Sequence, residues 1–217
     1  MDIKIPEERV GVLVGPGGSM KHLIEEKTKT TLEIDSETGT VSIASAEDPL
    51  QGLRVLDLVK AIGRGFSPER SLAILEDDML MLDVMDLSKM VGTRSDMARI
   101  KGRIIGKDGR SREIMERLSG ARVSVYGKTV SLLGYPEQIR VARTAIEMLL
   151  DGAPHGNVYS FLEKKHRELA MEELKEQGIL LGLDFGSPAR ARDRGLAAHS
   201  RGSHRAVCHP PPAFERQ

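Results

Sequence analysis

The chain has 217 residues, of which 40% are hydrophobic and 29% are charged. These values are typical of a folded protein with one large or two small domains. The formal net charge is zero, which excludes a protein that coats nucleic acid through bulk electrostatics, so any contact with a polyanion has to be local. Aromatic residues make up 3% and Trp is absent, which excludes a platform of aromatic side chains for stacking bases.

Cysteine content and hydropathy indicate an intracellular setting. Cys208 is the single cysteine, so the chain can form neither an internal disulfide nor a cysteine-based zinc site. The N-terminus lacks an apolar signal core, and no stretch approaches the ~20 apolar residues that a membrane span needs. We therefore expect a cytoplasmic protein without a membrane partner.

The sequence contains an internal repeat, which fixes domain count more firmly than length does. Residues 10–28 align with residues 101–119 without a gap. The alignment pairs Gly11 with Gly102, Gly15 with Gly106, Gly18 with Gly109, Leu23 with Ile114, Ile24 with Met115, and Glu25 with Glu116. Two related domains are therefore expected.

The segments around the repeat predict the same order of elements in each copy. Candidate strands at residues 2–5 and 79–84 precede a short helix, the glycine loop and a second helix. An alternating hairpin and a final helix follow. The final helices begin at Pro49 and Pro136, since proline suits the first turn of a helix. Their predicted core faces are Leu50, Leu53, Leu56 and Val59 in the first copy, and Ile139, Ala142, Ile146 and Leu149 in the second.

This order predicts an α+β fold of two tandem β-α-α-β-β-α domains, each a three-stranded sheet with helices packed on one face. A connecting helix at residues 68–75 places the boundary near Arg70, which gives domains at 1–69 and 70–181. Residues 157–177 predict an added helix that docks on the second domain. Residues 182–217 are rich in Arg, Pro and His with few large aliphatics, so we expect a disordered tail.

A Gly-x-x-Gly loop between two helices has a specific chemistry. Without Cβ atoms the backbone turns tightly and lets another chain approach closely. The amides at the start of the second helix and its dipole favour an anion such as phosphate. The first loop is Gly15, Pro16, Gly17 and Gly18, and the second is Gly106, Lys107, Asp108 and Gly109.

The two loops differ in the charge around them. Near the second loop the cations Arg99, Lys101, Arg103, Lys107, Arg110, Arg112 and Arg117 outnumber Asp108, Glu113 and Glu116. Near the first loop, Arg9, Lys21 and Lys27 are offset by Glu7, Glu8, Glu25 and Glu26. We expect the second loop to hold a phosphate backbone, and the first to bind such a backbone weakly or to bind a protein.

The element order and the segment Ile105-Gly106-Lys107-Asp108-Gly109 resemble a type I KH domain, a family that holds about four nucleotides of single-stranded RNA. The resemblance implies that Ile104, Ile105 and either Val123 or Val125 line the groove for the bases. The third residue after the loop is usually aliphatic in this family, but it is Lys21 in one copy and Arg112 in the other. We hypothesise that Arg112 contacts a phosphate or a base edge.

A closer resemblance covers about residues 1–174. The paired KH domains with the segments GKDGRSREIMERLSG and HGNVYSFLEKK resemble archaeal members of the partner-of-Nob family of small-subunit ribosome assembly factors. This implies binding near the 3′ end of small-subunit ribosomal RNA, beside a maturation endonuclease and translation or ribosome-assembly proteins. A KH component of a general RNA-processing or decay complex is one alternative. A protein-interaction scaffold is another.

Nothing in the sequence predicts an enzyme, a cofactor or a metal site. His22, His155 and His166 lie far apart without the spacing of a triad or of metal ligands. His199, His204 and His209 fall in the tail. The adjacent Asp77 and Asp78 would point to opposite faces of a strand.

Overall fold

A computed structural model describes residues 1–45 and 48–176. The β-α-α-β-β-α order occurs twice, which confirms the predicted fold class. The first copy contains β1 (Asp2–Lys4), α1 (Glu7–Val14), α2 (Ser19–Thr28), β2 (Thr30–Asp35), β3 (Thr40–Ser45) and α3 (Pro49–Gly63). After α4 (Pro68–Glu76), the second copy contains β4 (Met81–Asp86), α5 (Arg94–Ile105), α6 (Arg110–Ser119), β5 (Arg122–Tyr126), β6 (Thr129–Gly134) and α7 (Pro136–Leu150). The helix α8 (His155–Glu176) follows.

Each copy forms a three-stranded antiparallel sheet in which the last strand lies in the middle. The strand orders are β1-β3-β2 and β4-β6-β5. Short turns fix the register of both hairpins. In the first, the carboxylate of Asp35 accepts hydrogen bonds from the backbone N–H groups of Glu37 and Thr38. In the second, Gly127 supplies the positive φ that a tight turn needs.

The core of the first domain lies between its sheet and three helices. The buried stripe of α3 consists of Val55, Leu58, Val59 and Ile62, with the spacing of one helix face. The predicted stripe was wrong in part, because Leu50 is 57% exposed and Leu53 is 50% exposed. The helix is apolar on two stripes, so periodicity alone selects neither of them.

The core of the second domain is extended by α8. The predicted face of α7 is confirmed, since Ala142, Ile146 and Leu149 are fully buried. Val158 and Leu162 of α8 are also fully buried and belong to the same apolar cluster. The added helix therefore docks on the second domain, as its sequence predicts.

The second sheet is covered on both faces. Helices α5, α6 and α7 pack on one face, and every residue of β6 is buried. On the other face Leu133 packs with residues of the first domain and of α4, namely Ala61, Phe66 and Ile74. The helices expected on one face of the sheet are present, and residues of the first domain and of α4 cover its other face.

Hydrogen bonds along β5 complete the contact between the copies. The Ser124 hydroxyl donates to the carbonyl of Arg64 at 2.9 Å, and Arg122 donates to the carbonyl of Arg70 at 2.9 Å. The Tyr126 hydroxyl donates to Glu8, and the guanidinium of Arg9 lies 5.8 Å from the centre of the Tyr126 ring. Residues 1–45 and 48–176 therefore pack as part of one compact unit.

The exact domain boundary near Arg70 stays a prediction. The predicted tail at 182–217, with Cys208 and its histidines, lies outside the described residues. Among the residues that are described, no helix is long and apolar enough to cross a bilayer.

Candidate nucleic-acid interface

The two glycine loops have the same backbone conformation. Gly15 and Gly106 have φ/ψ angles of 72°/174° and 73°/177°. The third position is left-handed in both loops, at φ 58° for Gly17 and φ 55° for Asp108. The sequence repeat is therefore a structural repeat, and Asp108 takes a conformation that Asp tolerates better than most side chains.

Glycine is required where the loop meets its second helix. A Cβ atom on Gly106 would lie 2.6 Å from the Cβ of Ser111, a distance that real contacts do not reach. A Cβ atom on Gly15 would lie 2.9 Å from the Cβ of Met20. Each loop is therefore packed directly against the first turn of the helix that follows it, α2 or α6.

The amides at the start of α6 have no side-chain cap. Its N-cap residue Gly109 has no side chain to accept a hydrogen bond, and Gly18 plays the same part in α2. By contrast Asp48, Ser67 and Thr93 cap α3, α4 and α5. The first amide of α6, at Arg110, donates to the carbonyl of Lys107, and that of α2, at Ser19, donates to the carbonyl of Pro16. The start of each helix still carries the partial positive charge of the helix dipole, which suits an anionic ligand.

The cations around the second loop fall into two groups. Lys107 and Arg110 are exposed and, within the described part of the chain, have no hydrogen bond or ion pair. Lys101 and Arg103 serve the fold: Lys101 donates to the carbonyl of Gly127 at 2.8 Å, and Arg103 donates to the carbonyl of Ala153 at 2.5 Å. The predicted site thus contains two exposed cations at the loop, Lys107 and Arg110, and two cations on α5, Lys101 and Arg103, that are hydrogen-bonded to backbone carbonyls.

Arg99 lies at the margin of this group. Its guanidinium is 3.4 Å from the carboxylate of Asp96 in an exposed pair. The pKa of Asp96 is lowered, first by the hydrogen bond from the Thr93 hydroxyl and then by Arg99. Asp96 therefore stays charged and partly offsets Arg99.

The cations around the first loop are all engaged. Arg9 donates to the carbonyls of Ile62 and Phe66 at the contact between the copies. Lys27 pairs with Glu76 at 2.8 Å, and Lys21 lies 3.8 Å from Glu25. The first loop keeps the geometry of the second but lacks its free charge.

Arg112 lies on the flank of α6 that faces β5. Glu116, one turn further along, accepts a hydrogen bond from the backbone N–H of Val123 at 2.7 Å, which fixes the direction of this flank. The Nε atom of Arg112 is buried and has no hydrogen-bond partner in the described structure. Its counterpart Lys21 pairs with Glu25, so the two copies treat this position differently.

The expected aliphatic lining is corrected at two residues, Ile104 and Val123. Ile104 is 0% exposed and belongs to the core, because it follows Ile100 by one turn on the buried stripe of α5. Val123 is 2% exposed, because its side chain lies on the face of β5 that packs into the same core cluster. Ile105, which is half-buried, remains at the surface beside the loop.

The roles of Glu25 and Glu116 were missed by the sequence reasoning. Each accepts a hydrogen bond from an edge-strand amide, at Leu32 and at Val123. The signal was present, because these glutamates align in the repeat. Within residues 1–45 and 48–176, no group of His, Cys, Asp or Glu side chains is placed to hold a metal ion.

Comparisons with known proteins agree with this geometry. Residues 81–167 match the PNO1 second-domain family, described as eukaryotic type KH-domain (KH-domain type I), and residues 1–52 match the KH domain family. A KH domain-containing protein of Methanocaldococcus jannaschii is 44% identical over 170 residues, covering 77% of this chain and 74% of that protein. The pre-rRNA-processing protein PNO1 of Candida glabrata is 27% identical over 165 residues, covering 74% of this chain and 63% of that protein.

A solved structure extends the likeness to three dimensions. The crystal structure of the a/eIF2alpha-aDim2p-rRNA complex from Pyrococcus horikoshii contains a chain that matches with a TM-score of 0.73 and 47% identity. The match covers 77% of this chain and 94% of that one. The expected resemblance is confirmed: the chain belongs to the PNO1/Dim2 family of KH-domain proteins.

Proposed function

We propose that this chain binds single-stranded ribosomal RNA of the small subunit, near its 3′ end, during ribosome assembly and processing. The observation that carries the proposal is the second glycine loop, where exposed Lys107 and Arg110 have no partner among the described residues and flank the uncapped start of α6. A phosphate placed there would meet the dipole of α6 and the two exposed cations together. The loop would position the RNA rather than read its sequence.

Bases would lie on the β5 side of this loop. Ile105 offers apolar surface beside the loop, and Arg112 is a half-buried residue whose buried Nε lacks a partner in the described structure. A buried donor without a partner is costly, so a ligand acceptor at this position would be favoured. This flank therefore supplies both apolar contact and a hydrogen-bond donor to the base or its phosphate.

The relatives support ribosomal RNA over other single strands. The Candida glabrata relative is named as a pre-rRNA-processing protein, and the Pyrococcus horikoshii structure is a complex with rRNA and a/eIF2alpha. We propose that this chain likewise binds ribosomal RNA and that its protein partner is a translation-factor subunit. Partnership with a maturation endonuclease and a cytoplasmic location stay predictions.

The first glycine loop is assigned to a protein or to weak RNA contact. Its neighbouring cations already interact with the chain itself: Arg9 donates to backbone carbonyls, and Lys21 and Lys27 pair with carboxylates. Little charge is left for phosphate, so the loop would bind mainly through its backbone.

A pair of matched double variants tests the proposal. Replacing Lys107 and Gly109 by Asp puts two carboxylates at the phosphate position, and replacing Pro16 and Gly18 by Asp does the same in the first loop. We expect the second-loop variant to lose binding to a 3′ fragment of small-subunit rRNA in a fluorescence anisotropy titration. The first-loop variant should retain most of it, and circular dichroism should report folded protein for both.

The identity of the RNA is tested in cells. Crosslinking followed by sequencing should enrich the 3′ region of small-subunit rRNA. Reads scattered over messenger RNA would favour the alternative of a general RNA-processing or decay complex. If purified protein shows no salt-dependent RNA binding, the interaction-scaffold alternative takes its place.

A further inference from the structure

The helix α8 creates a groove on the far side of the second glycine loop from β5. One wall is His155 and Tyr159 of α8, and the other is formed by α5, the loop and α6. The groove, which we call the α8 groove, has a volume of about 460 Å³. Ser111 and Ile114 line it, whereas Arg112 and Glu116 lie on the opposite flank of α6. It is therefore separate from the surface assigned to the bases above.

The charged side chains that line the α8 groove are all cations, of which Arg99 is paired at its margin with Asp96. The lining of the groove contains Arg99, Arg103, Lys107 and Arg110 and no acidic side chain. Arg103 is held in place by the carbonyl of Ala153, while Lys107 and Arg110 have no partner among the described residues. A concave surface of this kind attracts an anionic ligand.

Two rings stand together on the α8 wall. The ring centres of His155 and Tyr159 are 5.9 Å apart and the planes are tilted by 55°. The Nε2 atom of His155 lies 2.9 Å from the carbonyl oxygen of Arg103, and since a carbonyl can only accept, Nε2 carries the proton and donates it. The imidazole is thereby held in a fixed position beside the half-buried Tyr159. In a chain with 3% aromatic residues, this pair is a rare place to stack a base.

A buried polar group adds an independent sign of a ligand. Ser111 lines the α8 groove and is 3% exposed, yet its hydroxyl has no hydrogen-bond partner in the described structure. Buried hydroxyls are nearly always satisfied, and leaving one unpaired is unfavourable. A polar ligand group in the α8 groove would satisfy it.

We propose that the α8 groove is a second RNA subsite, which holds the nucleotide next to those gripped by the glycine loop. The base stacks on Tyr159 and His155, and its phosphate contacts Lys107 and Arg110, which border both surfaces. This inference rests on the proposed function, because the loop has to hold the strand first. It assigns α8 a role in RNA binding: the helix would lengthen the RNA segment that the second KH domain holds and raise the affinity for it.

The test compares RNA length in two matched variants. Tyr159→Leu keeps apolar packing on α8 without a ring, and Tyr159→Phe keeps the ring. A tetranucleotide and two heptanucleotides that extend it at either end, all taken from the 3′ end of small-subunit rRNA, are titrated by fluorescence anisotropy. Thermal unfolding confirms that both variants are folded.

For the unaltered chain we expect one heptanucleotide to bind about five- to a hundredfold tighter than the tetranucleotide, the range measured for one stacked base. Tyr159→Phe should keep this gain and Tyr159→Leu should lose it, with unchanged affinity for the tetranucleotide. An equal gain in Tyr159→Leu, or no gain in the unaltered chain, would overturn the inference and leave the proposed function intact. If no RNA binds even to the unaltered chain, the proposed function fails and the subsite fails with it.

Discussion

The carboxylate of Glu116 accepts a hydrogen bond of 2.7 Å from the backbone N–H of Val123. Glu25 makes the equivalent bond of 2.9 Å to Leu32 in the first copy. Both amides belong to edge strands, β5 and β2, whose outer N–H groups would otherwise lack a partner within the sheet. Each glutamate therefore ties the helix after the glycine loop to the strand that faces it.

Replacing Glu116 by Ala should lower the free energy of unfolding by about 1–3 kcal/mol, because a partly buried amide loses a charged acceptor. Glu116→Gln keeps an acceptor oxygen and should lose less. Urea denaturation followed by circular dichroism measures both. Equal stability of the Ala variant and the unaltered chain would show that water replaces the carboxylate without cost.

Replacing Gly106 or Gly102 by Ala should change the stability of the chain in opposite directions. Gly106→Ala meets a φ of 73° and a Cβ contact at 2.6 Å, so we expect destabilisation by about 2 kcal/mol or more. Gly102 is an exposed helical residue with nothing within 4 Å of an added Cβ. Gly102→Ala should therefore stabilise the chain by about 0.5–1 kcal/mol. Thermal unfolding of the two variants should give shifts of the melting temperature with opposite signs.

Local patterns in the sequence predicted the elements and the loops well. The gapless repeat identified both glycine loops because their conformation depends on neighbouring residues, as the matching dihedral angles of Gly15 and Gly106 confirm. Pro49 and Pro136 marked the starts of α3 and α7 for the same reason. Short-range chemistry of this kind can be read directly from a sequence.

Long-range contacts could not be predicted in this way. Leu133 is buried by Phe66 and Ile74, which lie far from it in the sequence. The residues next to β6 therefore do not predict that both faces of this strand are covered. Arg9 was counted with the cations of the first loop, but it bonds to carbonyls at residues 62 and 66. Charge counts along the sequence cannot distinguish a free cation from one already engaged.

The contact between the copies can be tested at Gly65. Its φ is +98°, and an added Cβ would lie 2.8 Å from Ser124 Oγ and 2.9 Å from Tyr126 Cβ. Gly65→Ala should loosen the two domains, because β5 has to move away from the α3–α4 turn. Small-angle scattering should report a larger radius of gyration. Gly127→Ala is the control, since it has a φ of +55° but no neighbour within 4 Å, and it should leave the radius unchanged.

Arg112 offers the sharpest test of the surface for the bases. Its Nε has no partner within residues 1–45 and 48–176, so its removal frees no acidic group that it had been pairing. Arg112→Ala should weaken RNA binding about tenfold, as expected for one charge-assisted hydrogen bond. If the contact is to a phosphate, the slope of log K against log salt concentration should also fall by about 0.7.

The matched variants separate charge from geometry at Arg112. Arg112→Lys keeps the charge, so it should preserve the salt slope, and it loses affinity if the contact needs the planar guanidinium, as a base edge or a bidentate phosphate does. Arg117→Ala removes an exposed cation further along α6 and should change affinity less than Arg112→Ala. Unchanged affinity and slope in Arg112→Ala would remove this residue from the site. In that case the cations that hold RNA would be those of the loop, Lys107 and Arg110, and the β5 flank would contribute apolar contact alone.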